Sequence, residues 1–293
     1  MIIIDFSPVM VASAMYDASH SNNGVVEGKF LMNEESMRSM ALNTIRLHVR
    51  RFKIEFGPEI VIAYDAEVYW RSEVFPFYKK NRSKQRDTSK FDWIGYKTIM
   101  MKLKKEFQLV LPYKNIEVGR AEADDIIATL VKTHQTRYAI LRQVPPPVVI
   151  VSGDKDFLQL QLGNPNIKQW APAKKEFITY EDYEYADLED HIIRGDSSDG
   201  IPNILSDSDT FVTEGKSQTK MTAKNLIEAR NGKDINQNFA RNKQLIDFEQ
   251  IPDDIRNDII VAYDAAKPQN RMKLLNYLIS KNVSGMMDVL SDF

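Results

Sequence analysis

The sequence predicts an α/β fold, in which a mostly parallel central sheet with flanking helices is followed by a smaller helical C-terminal domain. Three short apolar runs have the β-branched composition of buried strands. Each run is closely followed by an aspartate: residues 2–4 by Asp5, residues 61–64 by Asp65 and residues 148–151 by Asp154. Segments with helical spacing separate these runs, and strands that alternate with helices are typical of a parallel sheet.

The first half of the chain contains the elements that join these strands. Apolar residues recur at helical spacing over residues 36–52, and Gly57-Pro58 ends the pattern. Residues 79–92 are polar, have no apolar period, and predict a mobile loop or arch. The other elements expected here are two helices and one short strand, at residues 96–107, 121–134 and 109–111 respectively.

Beyond the third strand the sequence favours helices. Two more short strands are expected at residues 166–170 and 176–179, and strand patterns fade near Tyr180. Helical patterns follow at residues 183–194, 222–229, 253–266 and 271–281. We therefore expect two domains, residues 1–180 and residues 181–293.

Composition excludes several classes of protein. The 293 residues are 43% hydrophobic and 27% charged, which is ordinary for a globular chain with a sizeable core. No apolar stretch approaches the roughly 20 residues of a membrane helix, and we expect no signal peptide. Because the chain has no cysteine, disulfides, iron–sulfur clusters and thiolate zinc sites are excluded.

Charge is distributed unevenly along the chain. The formal net charge is −2, which by itself does not indicate a nucleic-acid-binding protein. Residues 71–105, however, contain eleven basic residues and three acidic ones, so this segment carries a net charge of +8. A solvated basic face is one explanation, and a surface that neutralises a polyanion is the other.

Carboxylates gather at the expected strand ends and near them. In an open parallel sheet, ligands bind beyond the carboxyl ends of the strands. Each acid alone has a structural explanation as a first-turn, N-cap or turn residue. A cluster of acids at one edge is costly unless cations neutralise it, and oxygen ligands suit Mg²⁺ or Mn²⁺. The set is Asp5, Asp65, Glu122, Asp124, Asp125, Asp154, Asp156, Asp196 and Asp199.

Nine carboxylates exceed the needs of one ion, so two ions are expected, as in two-metal phosphodiester hydrolysis. Four histidines are scattered through the chain without zinc spacing, and we interpret them as structural or surface residues; they are His20, His48, His134 and His191.

The order of the motifs resembles a known family. IIIDFS, VIAYD, FYKKNR, AEADD, VSGDKDF and GDSSDGIPN together resemble the 5′-nuclease (flap endonuclease) superfamily, across nearly the whole chain. YKKNR followed by Trp93, and IKQWAP around Trp170, resemble the bacteriophage ribonucleases H that remove RNA primers. The resemblance implies a PIN/5′-nuclease-like catalytic domain, a basic helical arch at about residues 71–105, and a DNA-binding C-terminal domain of helix–hairpin–helix type.

The resemblance also implies roles for the acidic residues. The metal pocket would be built by Asp5, Asp65, Glu122, Asp124, Asp154 and Asp156. A second, more hydrated ion site would be completed by Asp125, Asp196 and Asp199. Asp154 is expected to be essential for cleavage.

The arch would supply the contacts to the substrate. Lys79 and Arg82 would bind the scissile phosphate, with Lys80 beside them, and Tyr78 would stack on a base near the cleavage point.

The C-terminal domain departs from the family pattern after Asp199. Gly200 follows where cellular relatives have asparagine, and residues 205–220 contain a single glycine, so the grip on duplex is expected to be weaker or differently built. Three lysines are candidate phosphate contacts or ordinary surface residues: Lys216, Lys220 and Lys224. Thr222 is expected to cap the helix that follows.

The implied activity is Mg²⁺-dependent 5′→3′ hydrolysis of RNA–DNA hybrids, duplex DNA 5′ ends and 5′ flaps, with Mn²⁺ able to substitute. It would remove primers in phage DNA replication, as a monomer in the cytoplasm of the infected bacterium. A sliding clamp or single-strand DNA-binding protein is an expected partner. Residues 285–293 would form either a tail that docks onto this partner or a frayed or packed terminus.

Three other functions remain open. A non-catalytic, structure-specific DNA-binding replication protein would have the same basic segment, and a PIN-type single-strand ribonuclease would have similar acids. In a haloacid-dehalogenase-like phosphatase Asp5 would be the nucleophile, but that mechanism needs an aspartate where Ser7 stands.

Overall fold

The fold is built on a six-stranded sheet flanked by helices. The computed structural model describes residues 1–20, 25–26, 29–87, 89–182, 187–232 and 236–293. The strands are β1 (Ile2–Asp5), β2 (Val25–Val26), β3 (Lys29–Phe30), β4 (Ile60–Tyr64), β5 (Lys114–Glu117), β6 (Val148–Val151), β7 (Ile167–Ala171) and β8 (Glu176–Ile178). The helices are α1 (Phe6–His20), α2 (Glu34–Phe56), α3 (Trp70–Val74), α4 (Asn81–Asp87), α5 (Trp93–Val110), α6 (Ala123–Ile140), α7 (Leu188–Arg194), α8 (Ala223–Gly232), α9 (Gln237–Ile246), α10 (Asp253–Ala265) and α11 (Arg271–Ser280).

The sheet has the strand order β5-β4-β1-β6-β7-β8, and β2 pairs with β3 in a separate hairpin. All pairs from β5 to β7 are parallel, while β8 is antiparallel to β7. The predicted mostly parallel sheet is therefore confirmed. The three strands that precede the aspartates, β4, β1 and β6, are direct neighbours at its centre.

The two faces of the sheet carry two cores. Along β1, Ile2 and Ile4 face a cluster that includes residues of α1, α2, α5 and α11, whereas Ile3 faces a cluster with α6 and α10. Side chains of successive strand residues alternate between faces, so a fully apolar strand is buried on both. The C-terminal helices α10 and α11 thus extend the cores of the central sheet, and the boundary near Tyr180 stays a prediction.

The chain terminus is packed. The side chain of Phe293 is 1% exposed within the first core. The carboxylate of Asp292 is ion-paired with the guanidinium of Arg46 on α2. This agrees with a packed terminus and does not provide the free docking tail that was considered.

The structure bears on three expectations about local secondary structure. Residues 109–111 do not form a strand: α5 continues to Val110, because Leu103, Phe107 and Leu111 recur at helical spacing on a buried face. The expected arch loop contains a helix, α4. A helix was expected at residues 183–194, and α7 forms its last part. Residues 183–186 lie outside the described residues.

Helix α1 was not expected from the sequence. It begins directly after Asp5, and Ser7 lies in its first turn. Among the helices that the structure describes, none has the length and apolar character needed to cross a membrane.

Candidate active site

Acidic side chains meet at the carboxyl edge of the central strands. Asp5 ends β1, Asp65 follows β4 and Asp154 follows β6, so the strand order brings them side by side. Asp124 joins them from the first turn of α6. Asp5 is 5% exposed at the bottom of this acidic group, whereas Asp65 and Asp124 are half-buried and Asp154 is exposed.

Local hydrogen bonds orient these carboxylates. Ser152 donates its hydroxyl to Asp5 over 3.1 Å, and Ser7 donates to Asp65. The other oxygen of Asp65 accepts the backbone N–H of Ala123 over 2.8 Å, which ties the end of β4 to the start of α6. Hydrogen bonds from neighbouring groups therefore orient the carboxylates of Asp5 and Asp65, and no salt bridge to either carboxylate is present among the described residues.

The electrostatic cost of this arrangement is visible in the pKa values. Burial, followed by repulsion from Asp65 and Asp154, raises the pKa of Asp5 well above 3.8. Burial and the charges of Asp154 and Asp5 do the same to the pKa of Asp124. Without a cation, these groups resist ionising together.

A second acidic group lies beside the first. Asp156, His191 and Asp196 each place a donor atom within 4.8 Å of the others, and His191 Nδ1 is 3.8 Å from Asp156 Oδ1. Burial, then the charges of Asp154 and Asp196, raise the pKa of Asp156. Burial lowers the pKa of His191 despite these acids, which favours its neutral, ligand-competent form.

The position of Asp196 depends on the preceding glycine. Gly195 has φ 68°, and a Cβ there would lie 2.4 Å from the carbonyl oxygen of Ile201. Only glycine allows the sharp turn after α7 that directs Asp196 back towards His191. From the sequence, His191 was interpreted as a structural or surface residue; its spacing of five residues from Asp196 across this glycine was the available signal.

Asp125 is engaged by other partners in this structure, and its expected part in a second ion site stays a prediction. Its side chain is fully buried, accepts from Trp70 Nε1 over 3.1 Å and from the backbone N–H of Glu122 over 2.9 Å, and lies 2.8 Å from Arg71. It completes a capping box at the start of α6. Asp124 and Asp125 are adjacent in sequence, but only Asp124 interacts with the strand-end acids.

Glu122 is likewise surrounded by donors. One oxygen accepts from Arg71 and from the Tyr78 hydroxyl, each over 2.9 Å, and the other is ion-paired with Lys79. Its side chain is 1% exposed. In this structure the carboxylate of Glu122 anchors the cations at the foot of the arch, and its expected contribution to the metal pocket stays a prediction.

Asp199, like Glu122, is a carboxylate surrounded by donors from the arch. It accepts from the Tyr78 hydroxyl over 2.8 Å and is ion-paired with Arg82 and, over 3.5 Å, with Lys79. Burial acts to raise the pKa of Asp199, but these two cations outweigh it and the pKa is lowered. Asp199 therefore ionises more readily than the neighbouring acids whose pKa is raised, and its charge is already compensated.

The cations of the arch remain charged although partly enclosed. Burial would lower the pKa of Lys79, but Glu122 and Asp199 raise it well above its usual range. The pKa of Arg82 is raised in the same way, with Asp199 outweighing burial. Lys80, by contrast, is exposed and has no role in this network.

Tyr78 does not present a stacking surface. Its side chain is 6% exposed, and its hydroxyl bridges Glu122 and Asp199. The aromatic residue expected to stack on a base is in this structure a buried strut, whose hydroxyl contacts two carboxylates that also have cationic partners.

The arch is tied to the loop that carries Asp196 and Asp199. Asn81 and Arg82, in the first turn of α4, donate to the carbonyls of Ser197 and Ser198 over 2.6 Å and 3.0 Å. Gly200, the departure noted in the sequence, has φ 73°, and a Cβ there would lie 2.9 Å from Asn81 Oδ1. Glycine at this position permits the close approach.

The C-terminal lysines lie away from this network. Lys216 is paired with Asp207 and Asp209, over 3.1 Å and 2.7 Å, and Lys220 is exposed. Lys224 is exposed and 3.8 Å from Glu228. Thr222 accepts the backbone N–H of Asn225 over 3.2 Å, which confirms the expected cap of α8. A role for the lysines in binding duplex stays a prediction.

Comparison with known proteins gives matches along the whole chain. Residues 26–189 match the family described as 5′-3′ exonuclease, N-terminal resolvase-like domain, and residues 184–293 match T4 RNase H, C terminal. Ribonuclease H of Enterobacteria phage T4 is 28% identical over 305 aligned positions, covering 99% of this chain and 95% of that protein. Flap endonuclease Xni of Shewanella oneidensis is 27% identical over 183 positions, covering 59% of this chain and 62% of the relative.

Solved structures show the same fold at low identity. The bacteriophage T5 D15 flap endonuclease, in a complex with DNA and metal ions, has a TM-score of 0.57 at 14% identity and covers 90% of this chain and 98% of its own. T5 5′-exonuclease with bound zinc has a TM-score of 0.58 at 13% identity, covering 91% and 98%.

Proposed function

Because the chain belongs to the 5′-3′ exonuclease family and is a nuclease, we propose that it is a divalent-metal-dependent enzyme that hydrolyses RNA–DNA hybrids, duplex DNA 5′ ends and 5′ flaps. The observation that carries the proposal is the convergence of Asp5, Asp65, Asp124 and Asp154 at one sheet edge, where no described cationic side chain forms a salt bridge with them. Family membership removes the non-catalytic alternative. The long arch and second domain favour a flap nuclease over a compact single-strand ribonuclease.

The donor set fits a pair of hard divalent cations. Burial and then repulsion from neighbouring acids raise the pKa of Asp5 and of Asp124, and nearby positive charge relieves this repulsion. Carboxylate oxygens suit Mg²⁺ and Mn²⁺. We propose that Asp5, Asp65, Asp124 and Asp154 hold one ion, and that Asp156, Asp196 and His191 hold the other. When bound, such ions supply activation of the attacking water and stabilisation of the departing oxygen.

The cations of the arch orient the substrate. Lys79 and Arg82 are charged and lie beside the acidic pocket, and each is engaged by Asp199 in the absence of nucleic acid. A phosphodiester offers the same kind of anionic oxygen that they bind here. We propose that they exchange this carboxylate for the scissile phosphate, which fixes its position relative to the strand-end acids.

The biological role follows from the same relatives. We propose that the protein removes RNA primers during phage DNA replication inside the infected bacterium, as a monomer that uses Mg²⁺, with Mn²⁺ as a substitute. Lys216, Lys220 and Lys224 are proposed contacts to duplex phosphates. A sliding clamp or a single-strand DNA-binding protein is the proposed protein partner.

The test compares wild type with Asp154→Asn on labelled flap and RNA–DNA hybrid substrates, with Mg²⁺ and then with chelator. Asp154 Oδ1 caps the backbone N–H of Asp156 over 3.0 Å, and asparagine keeps an N-cap acceptor, so the variant should fold. We expect cleavage by wild type with Mg²⁺ alone, and binding without cleavage by the variant. Normal turnover by Asp154→Asn would refute the proposed site.

A further inference from the structure

A cleft lies beside the cluster of acidic residues and is lined by other side chains. It has a volume of about 750 Å³ and lies between α1, α2 and the carboxyl ends of β6 and β7. Gly153, which lines the cleft, is the residue before Asp154, so the cleft begins one residue from the proposed metal pocket. Clefts of roughly 300–1,000 Å³ are the usual size for sites that bind small organic groups.

The walls of the cleft are apolar and its rim is basic. Ala12 and Leu47 line it from the two helices, and both are exposed. Arg51 and Lys175 also line it and are exposed, and among the described residues neither has a carboxylate partner. This differs from Lys79 and Arg82, whose charges are compensated. The rim therefore offers uncompensated positive charge next to an apolar surface.

Arg51 provides a flat cationic platform. Its guanidinium carbon lies 3.9 Å from the centroid of the Trp170 ring, a cation–π contact that holds one face of the guanidinium against the indole. Arg51 is exposed, so part of its surface beside this contact is open to solvent. Nucleic-acid bases stack on guanidinium planes as they do on aromatic rings.

A polar group completes the wall. His48 lines the cleft, and its Nδ1 donates to the carbonyl of Thr44 over 2.7 Å. Burial lowers the pKa of His48, so the ring is neutral at physiological pH. Its Nε2 has no partner within the described part of the chain and is the ring atom left to accept a hydrogen bond.

We propose that this cleft binds one unpaired nucleotide of the substrate strand, next to the bond that is cut. The base stacks on the guanidinium of Arg51, and Lys175 binds its phosphate. Size, apolar walls, uncompensated charge and continuity with the acidic edge all match a nucleotide. The inference rests on the proposed function, since it assigns the nucleotide to the strand that is cleaved.

Binding is tested with a flap substrate that carries 2-aminopurine at single positions on either side of the cleavage point, in the presence of chelator. Stacking quenches the fluorescence of this base. We expect quenching at one position in wild type, and its loss in both Arg51→Leu and Arg51→Lys, because lysine keeps the charge but not the plane. Equal quenching in wild type and Arg51→Leu would overturn the proposal.

Lys174 provides a matched control for the phosphate contact. It stands one residue from Lys175 in the same turn, is 56% exposed, and does not line the cleft. Lys175→Ala should weaken binding of the substrate severalfold, whereas Lys174→Ala should not. Equal losses in the two variants would mean that the effect is only one of general surface charge, and would remove Lys175 from the site.

Cleavage kinetics give an independent check. An abasic nucleotide at the quenched position should slow single-turnover cleavage by wild type about tenfold, in the range expected for loss of one stacked base. It should have little effect on Arg51→Leu, which has already lost the platform. If wild type cuts intact and abasic substrates equally fast, the subsite fails and the proposed function stands. If wild type cuts no substrate with Mg²⁺ or Mn²⁺, the proposed function fails as well.

Discussion

Lys79 contacts Asp199 through both its backbone and its side chain. The backbone N–H of Lys79 donates to the carbonyl of Asp199 over 2.7 Å, and its Nζ lies 3.5 Å from the carboxylate. Lys79 has φ 57°, a left-handed conformation that a lysine rarely adopts. The foot of the arch and the loop after α7 are therefore one unit, although they are 120 residues apart in sequence.

Replacing Lys79 should slow chemistry more than binding. We expect Lys79→Ala to reduce the single-turnover rate by about 10²–10³-fold, the usual loss for one group that stabilises developing charge. The change in substrate affinity should be modest because many other basic residues remain. Lys90→Ala, which removes an exposed arch cation outside the network, is the control. An unchanged single-turnover rate for Lys79→Ala excludes it from the mechanism.

Neighbouring acids at the start of α6 should respond in opposite ways. Asp125→Asn breaks a buried pair with Arg71 and should cost about 3–5 kcal/mol of the free energy of unfolding. Asp124→Asn removes a repelled charge and should leave the metal-free protein as stable as wild type, or more so. Urea denaturation measures both. Metal titration separates them further, since only Asp124→Asn should weaken binding of Mn²⁺.

The metal-free acidic pocket should destabilise the fold as pH rises. The pKa of Asp156 is raised above 3.8 in the folded state, so the folded state binds this proton more tightly than the unfolded state. The tighter binding of this proton therefore stabilises the fold below pH 3.8, and this stabilisation is lost as pH rises through the pKa of Asp156 in the folded state. We expect wild type in chelator to lose stability relative to Asp156→Asn between pH 4 and pH 8, measured as the difference in Tm.

Added divalent metal should reverse that loss. A ligand that binds only the folded state at a hundred times its Kd stabilises by about 2.7 kcal/mol. Mn²⁺ or Mg²⁺ at neutral pH should therefore raise the Tm of wild type and have a smaller effect on Asp156→Asn. A metal-induced rise in Tm of equal size in both proteins contradicts the assignment of Asp156 as a ligand.

Gly200 should be intolerant of a side chain. A Cβ at Gly200 would lie 2.9 Å from Asn81 Oδ1 and 3.2 Å from the carbonyl of Phe77, so Gly200→Ala should loosen the contact between α4 and the loop. Gly215 has φ 79°, but among the described residues no atom would lie within 4 Å of a Cβ added there. Gly215→Ala should therefore lose only about 1–2 kcal/mol of stability, from the left-handed backbone conformation. Hydrogen exchange in α4 should rise for Gly200→Ala alone. Matching exchange rates in the two variants would argue against the contact.

Much of the fold could be predicted because it follows from local patterns. Runs of β-branched residues specify strands that are buried on both faces, and helical spacing between them specifies parallel connections. The strand expected at residues 109–111 was wrong since Leu111 continues the buried face of α5, a relationship that a short apolar run does not reveal. The residue pattern did not predict helix α4, because its residues are polar and contacts to Ser197 and Ser198 hold its first turn; only the family resemblance implied a helical arch.

The sequence by itself determined that Asp5, Asp65 and Asp154 would collect at the carboxyl edge of the sheet, because each ends or follows its own strand. Only the tertiary structure decided which acids remain uncompensated. Arg71 reaches Glu122 and Asp125 from α3, and Lys79 and Arg82 reach Asp199 from the arch, leaving Asp5 and Asp124 to repel their neighbours. A carboxylate's chemistry depends on the charges within a few ångströms, and those distances are set by folding and not by order along the chain.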